Sequence, residues 1–176
     1  MLDVHVLTGS APKAWLDQCL ASIFEARSKA PFRVDVHVLA GEVGHIGRGR
    51  SAGYAMGTQP YVTFVDDDDY LLPDAFAAMN PAIDRGVSAI CSTEILQFTA
   101  NQVVGKPRHH LTAFRRDQII DHAQWAACGD VAQAMRIKGD AIDLPEPTYV
   151  HRVYADSPAR VLRRAHPHEL KAASCG

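Results

Sequence analysis

Over residues 1–79, three short valine-rich runs alternate with three stretches that favour helix, and this alternation restricts the chain to few folds. Leu2 to Leu7, Phe32 to Leu39 and Tyr61 to Val65 have the length and β-branched content of buried strands. The first runs into Thr8, Gly9 and Ser10. Trp15, Leu16, Cys19, Leu20, Ile23 and Phe24 then recur at helical spacing, with Ser10 as a cap and Pro12 near the first turn. A glycine-rich segment, Gly44 to Gly57, is expected as a second helix, although each interior Gly costs about 1 kcal/mol against Ala. Pro73 is expected to start a third helix running through Met79. Strand, helix, strand, helix, strand, helix predicts an α/β fold with a parallel sheet covered by helices.

The second half is less regular. Strands are expected over Val87 to Phe98 and from Gln102 to about Gly105, around a turn at Asn101. Arg116 to His122 reads as a short helix, Asp130 to Lys138 as a helix stopped by Gly139, and Thr148 to Tyr154 as a last strand. The stretch from Pro158 carries Arg160, Arg163, Arg164 and Lys171 and reads as a basic helical tail. At 176 residues and 47% hydrophobic, the chain is expected to form one domain.

Charge and cysteine usage exclude several classes. A net charge of −2 gives no global reason for tight, sequence-independent binding to nucleic acid or anionic membrane. Cys19, Cys91, Cys128 and Cys175 lack the paired short spacing of a zinc or redox site, so free thiols in a cytoplasmic protein are expected. No run of about 18 apolar residues is present that would cross a bilayer.

The third strand ends in four consecutive carboxylates, Asp66 to Asp69, within VTFVDDDDYLLPDAF. In open α/β sheets ligands bind beyond the carboxyl ends of the strands, and like charges this close repel unless a cation or solvent separates them. Hard cations such as Mg²⁺ or Mn²⁺ take carboxylates together with water and phosphate oxygens. The plainer alternative is a solvated acidic turn, with Asp69 and Asp74 capping the helix that follows. A calcium loop is excluded because the spacing of its oxygen ligands and glycine is absent. Gly47-x-Gly49 with Gly53 resembles a dinucleotide fingerprint, but about seven residues separate it from the preceding strand, whereas that motif follows its strand directly.

Taken together, VHVLTGS, GRGRSAGYAMGTQPYVTFVDDDD and LLPDAF resemble, in order and spacing, the donor-binding half of a family 2 glycosyltransferase with the GT-A fold. The resemblance implies a mostly parallel, Rossmann-like central sheet flanked by helices, with a smaller mixed second half. It divides a single domain into a donor nucleotide-binding half (1–79), an acceptor half (80–157) and the basic tail (158–176). It implies a nucleotide-diphosphate sugar donor, Mn²⁺ or Mg²⁺ as cofactor, and transfer to an acceptor with inversion. By position, Asp66 would face the donor ribose or sugar and the metal, Asp68 would bind the metal, and Asp67 would share the ribose role. Arg50 would lie near the donor phosphates, a task that suits a guanidinium. Thr8 would line the base pocket. The chain departs from the family where two acids usually end the second strand: Ala40 and Gly41 stand there, with Glu42 next, which bears on a uridine donor.

For the second half the resemblance implies a catalytic base near an aromatic-Arg-Arg stretch, here Phe114, Arg115 and Arg116. Asp130 is the candidate base and also a good helix cap; Asp121 and Glu94 are weaker candidates. In TYVHRVYADS, Tyr154 stands where some relatives supply a histidine to the metal, and His151, three residues earlier, is the alternative ligand. His109 and His110 could meet the acceptor. The acceptor is open between a saccharide, a small molecule and, less favoured, modified nucleic acid held by Arg108, Arg115, Arg116, Arg160, Arg163 and Arg164. A non-catalytic nucleotide-binding protein on a degenerate GT-A or Rossmann-like fold is the other reading.

Overall fold

The structure, a computed structural model, describes residues 1–9, 11–41, 46–98, 101–104, 111–119 and 139–154. Strand β1 (Leu2–Thr8) leads into helix α1 (Lys13–Lys29), and β2 (Val34–Ala40) into α2 (Ile46–Ala55). Strand β3 (Tyr61–Asp66) is followed by the two-residue β4 (Tyr70–Leu71) and by α3 (Ala75–Asp84). The second half adds β5 (Ala89–Gln97), β6 (Gln102–Val104), β7 (Thr112–Arg115) and β8 (Ala141–Arg152).

All of these strands join one sheet, ordered β2-β1-β3-β7-β5-β8-β4, with β6 paired to β5. β1 runs parallel to both β2 and β3, so the expected parallel core holds in the first half. β7 enters antiparallel between β3 and β5, and β8 returns parallel to β5. The result is a mixed α/β architecture whose central strands are flanked by helices.

The alternation along β1 explains the layering. Leu2, Val4 and Val6 join Cys19 and Ile23 of α1 and Phe76 and Met79 of α3 in the main core. Burying a large aliphatic or aromatic side chain there contributes about 1.5–3 kcal/mol. Asp3 and His5 point to the other face, where Tyr54 of α2, Val62, Phe64, Ala89 and Phe114 form a second, aromatic core. Asp3 is buried at 1% exposure and fully compensated: it binds His37 at 2.8 Å, Arg116 at 2.8 Å and the Gln59 amide at 2.8 Å.

The glycines of α2 have a packing reason. A Cβ on Gly53 would stand 2.5 Å from the His5 ring, and one on Gly49 would stand 3.0 Å from the Leu7 side chain. They let the helix lie directly on β1, so the fingerprint-like spacing serves helix-to-strand contact.

Several expected boundaries move. The cap position of α1 is Pro12, with no side-chain cap bond, and Ser10 lies outside the described residues. α3 begins at Ala75 and continues past Met79 and through Pro81 to Asp84. Of the helix expected over Arg116 to His122, the described part is a 3-10 turn, Arg116–Gln118, and the strand β7 before it was not foreseen. β8 begins at Ala141, seven residues earlier than expected, because Pro145 and Pro147 obscure it. Those prolines coincide with register shifts against β5, and β4 pairs only with Tyr149 and Val150, so both sit where a ladder donor is dispensable. The helix expected over Asp130 to Lys138 and the tail from Pro158 lie outside the described residues. Among the described residues no helix is long and apolar enough to cross a membrane.

Candidate functional site

The carboxylates occupy the turn between β3 and β4, at the carboxyl edge of the sheet. The Asp69 amide donates to the Asp66 carbonyl at 3.1 Å, which closes the turn, and Tyr70 and Leu71 then pair antiparallel with Val150 and Tyr149 of β8. The chain is thereby folded back so that Asp66, Asp68 and Asp69 bring carboxylate oxygens within 4.8 Å of one another.

The four aspartates have different surroundings. Asp69 is completely buried: one oxygen accepts from the Tyr149 hydroxyl at 2.6 Å and from His151 Nδ1 at 3.0 Å, and the other from the Arg152 amide at 2.8 Å. It serves as an internal anchor. Asp66 forms an ion pair at 2.6 Å with Arg50, whose fully buried guanidinium lies 3.7 Å from the centre of the Phe64 ring. Asp67 accepts from the Gly9 amide at 2.8 Å, tying the turn to the end of β1. Asp68 accepts from the Tyr154 hydroxyl at 2.9 Å.

Electrostatics single out Asp68. Burial first, then the charges of Asp69 and Asp66, push its carboxyl up to about 6, against a partial offset from the Tyr154 hydrogen bond. Burial likewise raises Asp67 above the ordinary carboxylate range. Burial alone would lower His151, but the hydrogen bond and charge of Asp69, with Glu94 and Asp66 beyond, outweigh it and hold the imidazole above its usual value. The Tyr149 hydroxyl is held far above its usual value by burial and by the Asp69 charge. Hard oxygen donors packed this closely, one of them carrying unrelieved repulsion, fit the requirement of Mg²⁺ or Mn²⁺. Asp69 has its oxygens committed to three protein donors, which leaves Asp68, with the Asp66 carboxylate beside it, best placed for an ion.

The other candidates fall in different places. Thr8 stands at the end of β1, its hydroxyl donating to the Leu39 carbonyl at 3.2 Å. Arg50, expected beside donor phosphates, is buried beneath the turn and acts on the site through Asp66. His151 reaches the cluster as a partner of Asp69. Tyr154, two residues beyond the end of β8, is the residue whose hydroxyl meets the Asp68 carboxylate. Glu94 is buried in β5, paired in register with Tyr149. Asp130, Asp121, His109 and His110 lie outside the described residues.

Arg115 and Arg116 are the two described members of the basic face considered for nucleic acid; Arg108, Arg160, Arg163 and Arg164 lie outside the described residues. Arg115 and Arg116 sit at the opposite end of β3, where Tyr61 pairs with Arg115. Arg115 is bound to Asp117 at 2.7 Å and to the Gly86 carbonyl, and Arg116 to Asp3 and to the carbonyls of Tyr54, Met56 and Gln59. Both are structural fasteners. Sequence reasoning also passed over Tyr149, Arg152 and Trp15. Arg152 donates to the Asp68 carbonyl and to Gln18, and lies over the rings of Trp15 at 5.1 Å and Tyr70 at 4.8 Å. The one sequence signal for this group was the aromatic content of the expected last strand.

A parallel core with an acid-bearing third strand, closed by a mixed second half, defines a GT-A type domain. The sequence profile of Glycosyl transferase family 2 matches residues 14–138, well over half of the chain, and the protein belongs to that family. Among solved structures it is similar to S. aureus TarS 1-349 in complex with UDP-GlcNAc, with a TM-score of 0.64 and 11% identity over 89% of this chain and 59% of that one. The complex of TarS 1-349 with UDP gives a TM-score of 0.60 and 14% identity over 99% of this chain and 67% of that one. TarS 1-349 without a named ligand gives 0.59 and 13% over 86% and 60%. The chain thus spans about three fifths of the TarS chains that head the comparison, and at these identities the likeness establishes the fold. Comparison with curated proteins gives no match.

Proposed function

We propose that the protein transfers a sugar from a nucleotide-diphosphate sugar to an acceptor hydroxyl, assisted by Mn²⁺ or Mg²⁺ and with inversion. The observation that carries this reading is the set of carboxylates of Asp66, Asp68 and Asp69 within 4.8 Å at the carboxyl edge of a family 2 domain. A divalent ion there supplies Lewis-acid neutralisation of the departing diphosphate. Asp68 and Asp66 would hold it. Asp69 keeps the turn rigid, Arg50 orients Asp66, and Asp67 fixes the loop after β1, where Thr8 borders the expected base pocket. Asp130 remains the proposed base that takes the acceptor proton.

Because the similar TarS structures were solved with UDP and UDP-GlcNAc, uridine nucleotides are the first donors to try. One observation favours a second reading, nucleotide binding without transfer. β2 ends at Ala40 with Gly41 next, where a Cβ would meet the Thr8 carbonyl oxygen at 3.0 Å, so among the described residues the end of this strand offers no acid to a base, and Glu42 lies outside them. Calorimetry with Mn²⁺ and UDP, GDP, CDP or TDP sugars, followed by product analysis, separates the two. Transfer abolished by Asp68→Asn supports the enzyme; saturable nucleotide binding with neither transfer nor hydrolysis supports the alternative; failure to bind Mn²⁺ with any nucleotide refutes both.

A further inference from the structure

The carboxyl ends of β1, β2, β3, β5 and β8 share one edge, because β7 is antiparallel to both β3 and β5 while β8 is parallel to β5. The acidic turn divides that edge. On one side lie the ends of β1 and β2, with Thr8, Gly9 and the tie to Asp67. On the other, the ends of β5 and β8 and the start of α1 border an open cavity of about 220 Å³ whose described lining is Trp15, Gln97, Phe98, Arg152, Val153 and Tyr154. The donor chemistry described above leaves this cavity unused.

We propose that the cavity is the acceptor subsite and that it selects an uncharged pyranoside, an inference that rests on the glycosyltransferase reading. Among the described residues its walls combine the rings of Trp15, Phe98 and Tyr154 with the polar groups of Gln97, Arg152 and the Tyr154 hydroxyl. The C–H faces of a sugar ring pack on such surfaces, and a small number of placed donors set orientation. Gln97 supplies one: its amide oxygen accepts from the Tyr70 hydroxyl at 3.1 Å, which fixes the group and turns its NH₂ to the task of donating.

Charge argues for a neutral occupant. Among the described lining residues the Arg152 guanidinium is the cation, and it lies over Trp15 and Tyr70 and donates to the Asp68 carbonyl and Gln18. Two of its five N–H groups are engaged in this way and its face is turned to two rings, which weakens its hold on an anion, while the aspartates next door repel one. Tyr154 sets the placement: its ring packs edge-on against Trp15 at 5.1 Å and its hydroxyl binds Asp68. A sugar seated against that ring presents its hydroxyls one side chain away from the turn assigned to the donor diphosphate.

The test uses the intact chain carrying Trp125→Phe, which leaves Trp15 as the sole indole of the two in the sequence. Its fluorescence is titrated with methyl glycosides of glucose, galactose, mannose and N-acetylglucosamine, and with methyl glucuronide, in the presence of Mn²⁺ and UDP. At least one neutral glycoside is expected to saturate the signal, with the glucuronide about tenfold weaker or absent. Phe98→Ala is expected to weaken the neutral glycoside about tenfold, the scale of one lost aromatic contact, with Mn²⁺ and UDP binding unchanged. No saturable glycoside binding while Mn²⁺ and UDP bind normally overturns the subsite and leaves the proposed function standing. Tighter binding of the glucuronide overturns the selection for a neutral ring. Displacement of the glycoside by UDP-glucose, but not by UDP, assigns the cavity to the donor sugar and overturns the acceptor role. Glycoside binding without any uptake of Mn²⁺ and nucleotide removes the glycosyltransferase reading, and the acceptor assignment with it.

Discussion

Replacing Asp69 by Asn should cost the protein more stability than replacing any other member of the acidic run, although the two side chains are nearly isosteric. The Asp69 carboxylate accepts from Tyr149 and His151 at one oxygen and from the Arg152 amide at the other, in full burial. An Asn has one oxygen to offer. If it faces Tyr149 and His151, its NH₂ meets the Arg152 N–H; turned over, it meets the other two donors. Either orientation leaves a buried donor unsatisfied, at about 1–3 kcal/mol, and exchanges charge-assisted bonds for neutral ones that are weaker by about 1 kcal/mol. A total near 3 kcal/mol corresponds to a fall in Tm of about 6–12 °C for a domain of this size. Asp67→Asn is the control, since its carbonyl can still accept from the Gly9 amide; its cost should stay below about 1 kcal/mol. Thermal unfolding followed by circular dichroism in EDTA reads both without interference from bound ions. An Asp69→Asn melt within 2 °C of the parent, or an equal loss for Asp67→Asn, would refute the anchor role.

Asp68→Asn should act in the reverse sense, raising the melting temperature of the metal-free protein by relieving repulsion while abolishing Mn²⁺ uptake in calorimetry; a destabilised variant contradicts this. Gly53→Ala should destabilise by about 1–3 kcal/mol despite the better helix propensity of Ala, because the new methyl meets the His5 ring; an unchanged urea midpoint would show that α2 can retreat at no cost. His5 gives a pH signature. Burial and the Arg50 charge lower its pKa from 6.5 to about 3, so between those values the unfolded chain binds a proton that the folded one does not. Stability should therefore fall as pH drops through that window, by about 1.4 kcal/mol per unit at full slope, and His5→Leu should flatten the curve. Identical slopes for parent and variant rule it out.

The first half was legible because β1 and β3 are buried on both faces, β2 keeps the same β-branched run at the sheet edge, and the helices follow at regular intervals, so Leu2–Thr8, Val34–Ala40 and Tyr61–Asp66 fall within two residues of where the valine runs place them. The packing of α2 could not be read the same way. Its glycines look alike whether they cradle a phosphate or a strand, and only the contact with His5 decides. β7 and the start of β8 stayed hidden because each is held by pairing with remote strands, against its local turn and proline content. The chemistry of the acidic run was visible as a cluster; its division into an anchor, an Arg50 partner, a loop tie and an outward carboxylate depends on Tyr149, Arg152 and Tyr154, about 80 positions further along. No periodicity reports that distance.

That separation sets the order in which the protein can be completed. During synthesis β1, β2 and β3 and their helices emerge first and hold the elements of a parallel core, while the Asp66 to Asp69 turn has neither β8 nor the Arg152 amide to lean on. A ribosome-bound chain halted before residue 149 should therefore carry a formed nucleus beside an unset acidic loop, and the site matures only once β8 has emerged.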